Sequence, residues 1–264
     1  MSRPCHVLRV FTRGDEGGNH LGVVNDVTGL DTAVMHQIAT ELGFSETIFI
    51  DWRAGGTPRV RIFTPVAELP FAGHPLVGAA WSLNRMGPGG VDRLVCGIGE
   101  VRVRLDGDVT WIDTDFDPAA AHRSDEVALA AEARLPVPVA AWRVAMPKDY
   151  LLLELGSESD VAEADPDMAV LARHFGTMIY ARRGSRVRTR FFTPGSGIDE
   201  DPATGSAAVA LAIAHTAGGE PAGALEIDQG AEIGHPSHIA LRWGDGVASI
   251  GGTVRRDEVR HLEV

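Results

Sequence analysis

The chain has 264 residues, with 36 acidic side chains against 24 basic ones and a formal charge of −12. With no basic excess to neutralise phosphates, nucleic acid is not expected as a partner. An anionic small molecule is not excluded, because helix N-termini bind anions whatever the net charge.

Hydrophobic residues at 44% and charged ones at 23% fit a soluble globular protein with developed cores. No apolar run approaches the ~20 residues that span a bilayer, so no membrane association is expected. Cys5 and Cys96 lie far apart, with no C-x-x-C spacing, and fit a reduced protein without a metal or redox signature. The first residues run into a strand pattern without a signal-peptide core, and the expected location is the cytoplasm.

In chain order, residues 6–11 alternate and predict a strand, followed by a Gly-rich acidic turn over 12–19 and a strand over 21–24. Asp31 is placed to cap a helix over 32–42, with Val34, Ile38 and Leu42 on one face and Gly43 as its stop. Residues 48–50 predict a strand with Glu46 at its start. A strand over 60–63 feeds an apolar helix over 76–83, which is broken over 87–90. Residues 93–95, 101–105 and 109–112 read as a meander. The acidic, Pro118-containing segment 115–124 marks a boundary, giving halves 1–117 and 118–264, with the last strand packing back on the first half.

The second half predicts a helix over 125–134, strands over 142–145 and 150–155, a helix over 168–175 and a strand over 177–181. Then comes Arg190-Phe191-Phe192-Thr193-Pro194, an acidic loop with Asp199, Glu200 and Asp201, and a sharp turn at Thr204-Gly205-Ser206 into a helix that is apolar all round. Such a helix belongs in an interior. Strands over 224–227, 238–242, 247–250 and 253–256 close the chain.

Arg61-Ile62-Phe63-Thr64-Pro65 repeats the R-x-F-T-P pattern half a chain earlier. It leads through Phe71-Ala72-Gly73-His74-Pro75 into its own nearly uncharged helix. Two copies of strand, turn and buried helix read as an internal duplication. The fold class is therefore α/β (α+β): two pseudo-symmetric halves, each a sheet wrapped around a central apolar helix.

Taken singly, the candidate residues have ordinary readings. Glu46 fits a solvated carboxylate, Asp201 a charge near a helix N-terminus, and His74 a structural histidine beside a proline at the first helical position. His74 is also the side chain type suited to proton transfer near neutrality. His235 and His238 lack a third ligand, so no metal is expected. Gly97-Ile98-Gly99 lacks the remainder of a dinucleotide fingerprint. The one lysine, Lys148, has no motif for a pyridoxal Schiff base.

In combination the motifs say more. Gly18-Asn19, Ser45-Glu46-Thr47, the R-I-F-T-P…F-A-G-H-P segment over 61–75, E-D-P-A-T-G-S-A over 200–207 and Gln229-Gly230 resemble, in that order, the PhzF-like isomerases of phenazine biosynthesis. The resemblance implies the diaminopimelate epimerase-like fold, an active site in the cleft between its halves, a homodimer, no cofactor and a small carboxylated substrate. It implies Glu46 as acid/base with His74 and Asp201 as partners, and Gly73, Thr204, Gly205 and Ser206 as the substrate-carboxylate site. The positions matching the paired thiols of the related epimerases are Ala72 and Pro202, which disfavours two-thiol racemisation. The chain departs from the family pattern at His20 and Leu76, where proline and threonine are usual.

Overall fold

A computed structural model describes residues 2–52, 56–87 and 89–263. The chain divides into two compact units. One holds residues 1–114 together with 251–264, and the other residues 115–250.

The first unit opens with β1 (Ser2–Thr12) and β2 (Asn19–Val24), an antiparallel pair. Helix α1 (Thr32–Leu42) crosses over to β3 (Glu46–Asp51), which lies parallel to β2. Asp31 caps α1 by accepting from the Val34 N–H, and Gly43 ends it in the left-handed region. Next come β4 (Arg59–Phe63), the two-residue β5 (Glu68–Leu69) and helix α2 (Gly73–Arg85). Strands β6 (Arg93–Cys96), β7 (Gly99–Asp106) and β8 (Val109–Asp115) complete the run. Pro75 sits at the third position of α2, not the first, still within the turn whose N–H groups lack helical acceptors. Pro88, in the expected helix break, lies outside the described residues.

The two faces of this sheet bury different helices. Phe49 and Phe63 pack with Met35, Ile38 and Ala39 of α1. Side chains alternate along a strand, so Ile48, Ile50 and Ile62, all buried, take the opposite face. There α2 lies against β1, β2 and β3. At Gly78 the approach is so close that an added Cβ would overlap Leu21 Cδ2.

The second unit begins with the short β9 (Ala121–Arg123) and α3 (Val127–Glu132). It then repeats the scheme with β10 (Ala140–Ala145), β11 (Asp149–Glu154), the short helices α4 (Glu158–Ala162) and α5 (Met168–Leu171), and β12 (Gly176–Arg183). Strands β13 (Arg186–Thr193) and β14 (Ile198–Asp201) lead into α6 (Gly205–Ala217), and β15 (Gly223–Gln229) and β16 (Ser237–Gly244) follow. β11–β12 is parallel like β2–β3, β12–β13 antiparallel like β3–β4, and β13–β15 parallel like β4–β6. The pseudo-symmetry expected from the repeated motif is thus present strand for strand.

Three local expectations change. The acidic loop contains β14, whose Glu200 and Asp201 pair with Phe192 and Phe191. The helix expected over 168–175 stops at Leu171, and α4 precedes it. The last two expected strands are one, β17 (Val247–Glu263), which passes through Gly251-Gly252 and pairs from Thr253 onward with β1.

The shared arginine of the two motifs now has a structural role. Arg61 chelates Glu68 at 2.7 and 2.6 Å, and Arg190 chelates Glu200 at 3.0 and 2.7 Å. Each bidentate pair fastens the short strand that precedes a buried helix. Glu200 is therefore a structural carboxylate.

Candidate functional site

Strand parity explains the cluster in the first unit. Asn19, Leu21 and Val23 share one face of β2, and Glu46, Ile48 and Ile50 share the α2 face of β3. Asn19 and Glu46 thus start their strands beside the first turn of α2. There Glu46 Oε2 lies 3.4 Å from His74 Nε2. His74 is 3% exposed and Asn19 1%. Ser45 Oγ donates to Asn19 Oδ1 at 3.0 Å, and Asn19 Nδ2 lies 3.4 Å from His74 Nδ1.

Burial pushes the His74 imidazole down to about 3, and a backbone contact with His20 offsets only part of that. His74 is therefore neutral at neutral pH. A neutral ring in this position acts as a fixed hydrogen-bonding dipole.

The second unit builds its cluster at the start of α6. Thr204 Oγ1 donates to Asp201 Oδ2 at 2.6 Å. Gln229, at the end of β15, clamps the turn from outside. Its Oε1 accepts the Thr204 N–H at 3.1 Å, and its Nε2 donates to the Asp201 carbonyl at 2.7 Å and to Thr204 Oγ1 at 3.0 Å. Gly230 follows in the left-handed region, where a Cβ would press on the carbonyls of Pro202 and His235. Tyr150 donates to Ser206 Oγ at 2.8 Å. Its ring packs edge-on against Phe175, with centroids 5.4 Å apart.

The two buried helices share one more property. Neither Ala72, before α2, nor Thr204, before α6, makes a side-chain cap hydrogen bond, whereas α1, α4 and α5 are capped by Asp31, Ser157 and Asp167. The first-turn N–H groups at Gly73 and at Gly205 and Ser206 are thus not taken up by a capping side chain.

The structure brings Glu46, His74 and Gly73 together in the first unit, and Asp201, Thr204, Gly205 and Ser206 in the second. Asn19, Ser45, Tyr150 and Gln229 had no assigned role in the sequence. Asn19 and Gln229 lay in the motifs that carry the resemblance, and the alternation of β2 and β3 places Asn19, but nothing local marks Tyr150. Among the described residues, no group of three or more His, Cys, Asp or Glu side chains is disposed to hold a metal. His238 instead faces Glu226 at 2.7 Å and Asp228 at 3.1 Å.

Residues 8–249 match the family described as "Phenazine biosynthesis-like protein". The chain belongs to that family. Over 264 aligned residues it is 32% identical to trans-2,3-dihydro-3-hydroxyanthranilate isomerase of Pseudomonas fluorescens, with 88% of this chain and 87% of the relative covered. A crystal structure of a Bacillus anthracis member of the phenazine biosynthesis PhzF family superposes with a TM-score of 0.83 at 20% identity, over 100% of both chains. A hydroxyproline epimerase from Agrobacterium vitis shares the fold more distantly, with a TM-score of 0.65 at 10% identity over 99% of this chain and 92% of that one. The fold is the diaminopimelate epimerase-like one, and the protein is an isomerase of the PhzF family acting on a small molecule. Among the described residues no helix is long and apolar enough to cross a membrane.

Proposed function

We propose that this PhzF-family isomerase moves a single proton within a small carboxylated metabolite, with Glu46 as the carrier. The reaction class is that of its relative, the isomerisation of trans-2,3-dihydro-3-hydroxyanthranilate. The chemistry uses the chain's own side chains. The Glu46 carboxylate takes the proton from one carbon and returns it to another. His74 holds Glu46 in place, and the uncapped first turn of α6 with the Ser206 hydroxyl receives the substrate carboxylate. Asp201 positions that turn through Thr204.

The observation that supports a one-carboxylate mechanism is a register equivalence. Leu21 pairs with Glu46 and Thr47 with Phe63 in the first unit, while Tyr150 pairs with Gly176 and Thr177 with Phe192 in the second. Phe63 and Phe192 belong to the repeated R-x-F-T-P motifs, so Gly176 occupies the position of Glu46. A racemase using two opposed acid/base groups draws one from each half. Here the second half has no side chain at that position, and Phe191 fills the space a Cβ would need. That argues against a racemase that pairs Glu46 with its counterpart in the second half; a racemase on this fold would have to take its second acid/base from His74 or Asp201.

The test is NMR of trans-2,3-dihydro-3-hydroxyanthranilate with the protein in deuterated buffer, beside Glu46→Gln. Rearrangement by the wild type alone is expected. Full turnover by Glu46→Gln would rule out the assignment of Glu46. Inactivity of the wild type would move the substrate to another carboxylated compound. The homodimer implied by the resemblance belongs to the same proposal, and light scattering in solution tests it.

A further inference from the structure

We infer that a cavity of about 320 Å3 in the second unit, walled by Arg143, Lys148, Arg173 and Phe175, is an anion site that holds the carboxylate or phosphate group of a small metabolite. The inference does not depend on Glu46 as the proton carrier.

Two segments build the site. β10 and β11 form a hairpin whose turn carries Lys148, the single lysine of the chain. Arg143 pairs with Leu151 across that hairpin, and cross-strand partners share a face, so Arg143 stands beside the apolar core that contains Leu151. The turn after α5 supplies the other wall. It is held by the His174 N–H, which donates to the Leu171 carbonyl at 3.0 Å, and it brings Arg173, His174 and Phe175 to the cavity.

The wall sets three cations against one carboxylate, Asp149, in a chain whose net charge is −12. Their existing partners leave donors over. Arg143 gives its Nε to Glu126 Oε1 at 2.7 Å. Arg173 gives Nη2 to Glu132 Oε2 at 2.7 Å and Nε to the Val170 carbonyl at 3.2 Å. A guanidinium carries five N–H donors, so neither is used up. The Lys148 ammonium forms no ion pair among the described residues and lies 5.7 Å from the centre of the Phe175 ring. Charge-assisted bonds from such donors are the strong ones, and the aromatic wall suits the body of a small ligand. His174 registers the same field. Burial and then Arg143 hold its imidazole below the ordinary range, Glu126 opposes them, and Arg173 adds to the depression. The wall shares Tyr150, whose hydroxyl donates to Ser206, with the cluster at the start of α6.

The experiment is an NMR titration of the full chain with inorganic phosphate and, separately, with benzoate, against chloride at the same ionic strength. The His174 ring signals among the 10 histidines are assigned by their loss in His174→Gln. At least one of the two probes should shift them saturably and raise the His174 pKa, since a bound anion favours the charged ring. Lys148→Gln should weaken that binding by about tenfold or more, the loss of one hydrogen bond from a charged donor. Lys148 is exposed and unpaired among the described residues, so the variant should fold as the wild type does. Saturation by phosphate or by benzoate identifies which oxyanion the site takes. No saturable shift with either probe, shifts that chloride reproduces, or an unchanged affinity in Lys148→Gln overturns the inference. Binding should persist in Glu46→Gln, whose turnover tests the proposed function separately.

Discussion

Thr204 Oγ1 donates to Asp201 Oδ2 at 2.6 Å, and both side chains are buried. The same Oγ1 accepts from Gln229 Nε2 at 3.0 Å, so one hydroxyl joins the end of β14, the end of β15 and the start of α6. Thr204→Val keeps the shape and removes both bonds. With a carboxylate and an amide losing a buried partner, the expected cost is roughly 1–3 kcal/mol. A lower urea midpoint at unchanged m-value is the result to look for.

His74 makes the fold sensitive to acid. Its folded value of about 3 lies below the ordinary 6.5 because burial disfavours the charged ring. Above the ordinary value, both folded and unfolded chains hold it neutral, and nothing is gained or lost. As pH falls from 6.5 toward 3, the unfolded chain takes up a proton that the folded one refuses, and stability drops. His74→Gln removes that one proton from the balance. Its unfolding free energy should fall less steeply with acid, by about 1.4 kcal/mol per pH unit at full effect. Urea titrations of both proteins at a series of pH values between neutrality and mild acid measure the difference in slope.

Much of the fold was legible because the signals are local. The R-x-F-T-P repeat, Asp31 before α1 and the uncharged helices each carry their physics within a few residues. Where the sequence misled, the deciding contact is remote. Ile198–Asp201 reads as a loop, since Asp and Glu are poor strand formers, but Arg190 holds Glu200 in a strand. Gly251-Gly252 reads as a break. The strand runs through it, and the glycine serves packing, since the Trp111 ring lies where a Cβ at Gly251 would be. In the site, Glu46, His74 and Asp201 were marked by motif. The neutral state of His74 was not, because it follows from a burial that only the packed sheet creates. Tyr150 and Ser206 are 56 positions apart in the sequence, and nothing in either neighbourhood points to the other.

That tyrosine gives a separable test of the proposed carboxylate site. Ser206 Oγ accepts from Tyr150, which leaves the serine proton to point at a bound anion. Tyr150→Phe keeps the ring against Phe175 and Phe191 and deletes only the donor. KM for a carboxylated substrate should rise about three- to tenfold, the worth of a typical hydrogen bond, with kcat nearly unchanged. A fall in kcat at constant KM in steady-state kinetics would place Tyr150 in the chemical step instead.

Glu46→Asp probes the geometry rather than the charge. The substitution keeps a carboxylate at the start of β3, and the main chain there is fixed by parallel pairing with Leu21 on one side and by the β3–β4 ladder on the other. The backbone therefore cannot follow the shorter side chain. Losing one methylene withdraws the carboxylate by about an ångström from both His74 Nε2 and the substrate carbon. A displacement of that size costs on the order of a hundredfold in rate when the reacting groups are otherwise held. The expected result is a kcat about a hundredfold lower, a KM close to wild type and an unchanged thermal midpoint. Near-normal turnover by Glu46→Asp would mean that the proton carrier is not held by the β3 backbone, and that the rigid Glu46–His74 pair is not what sets the rate.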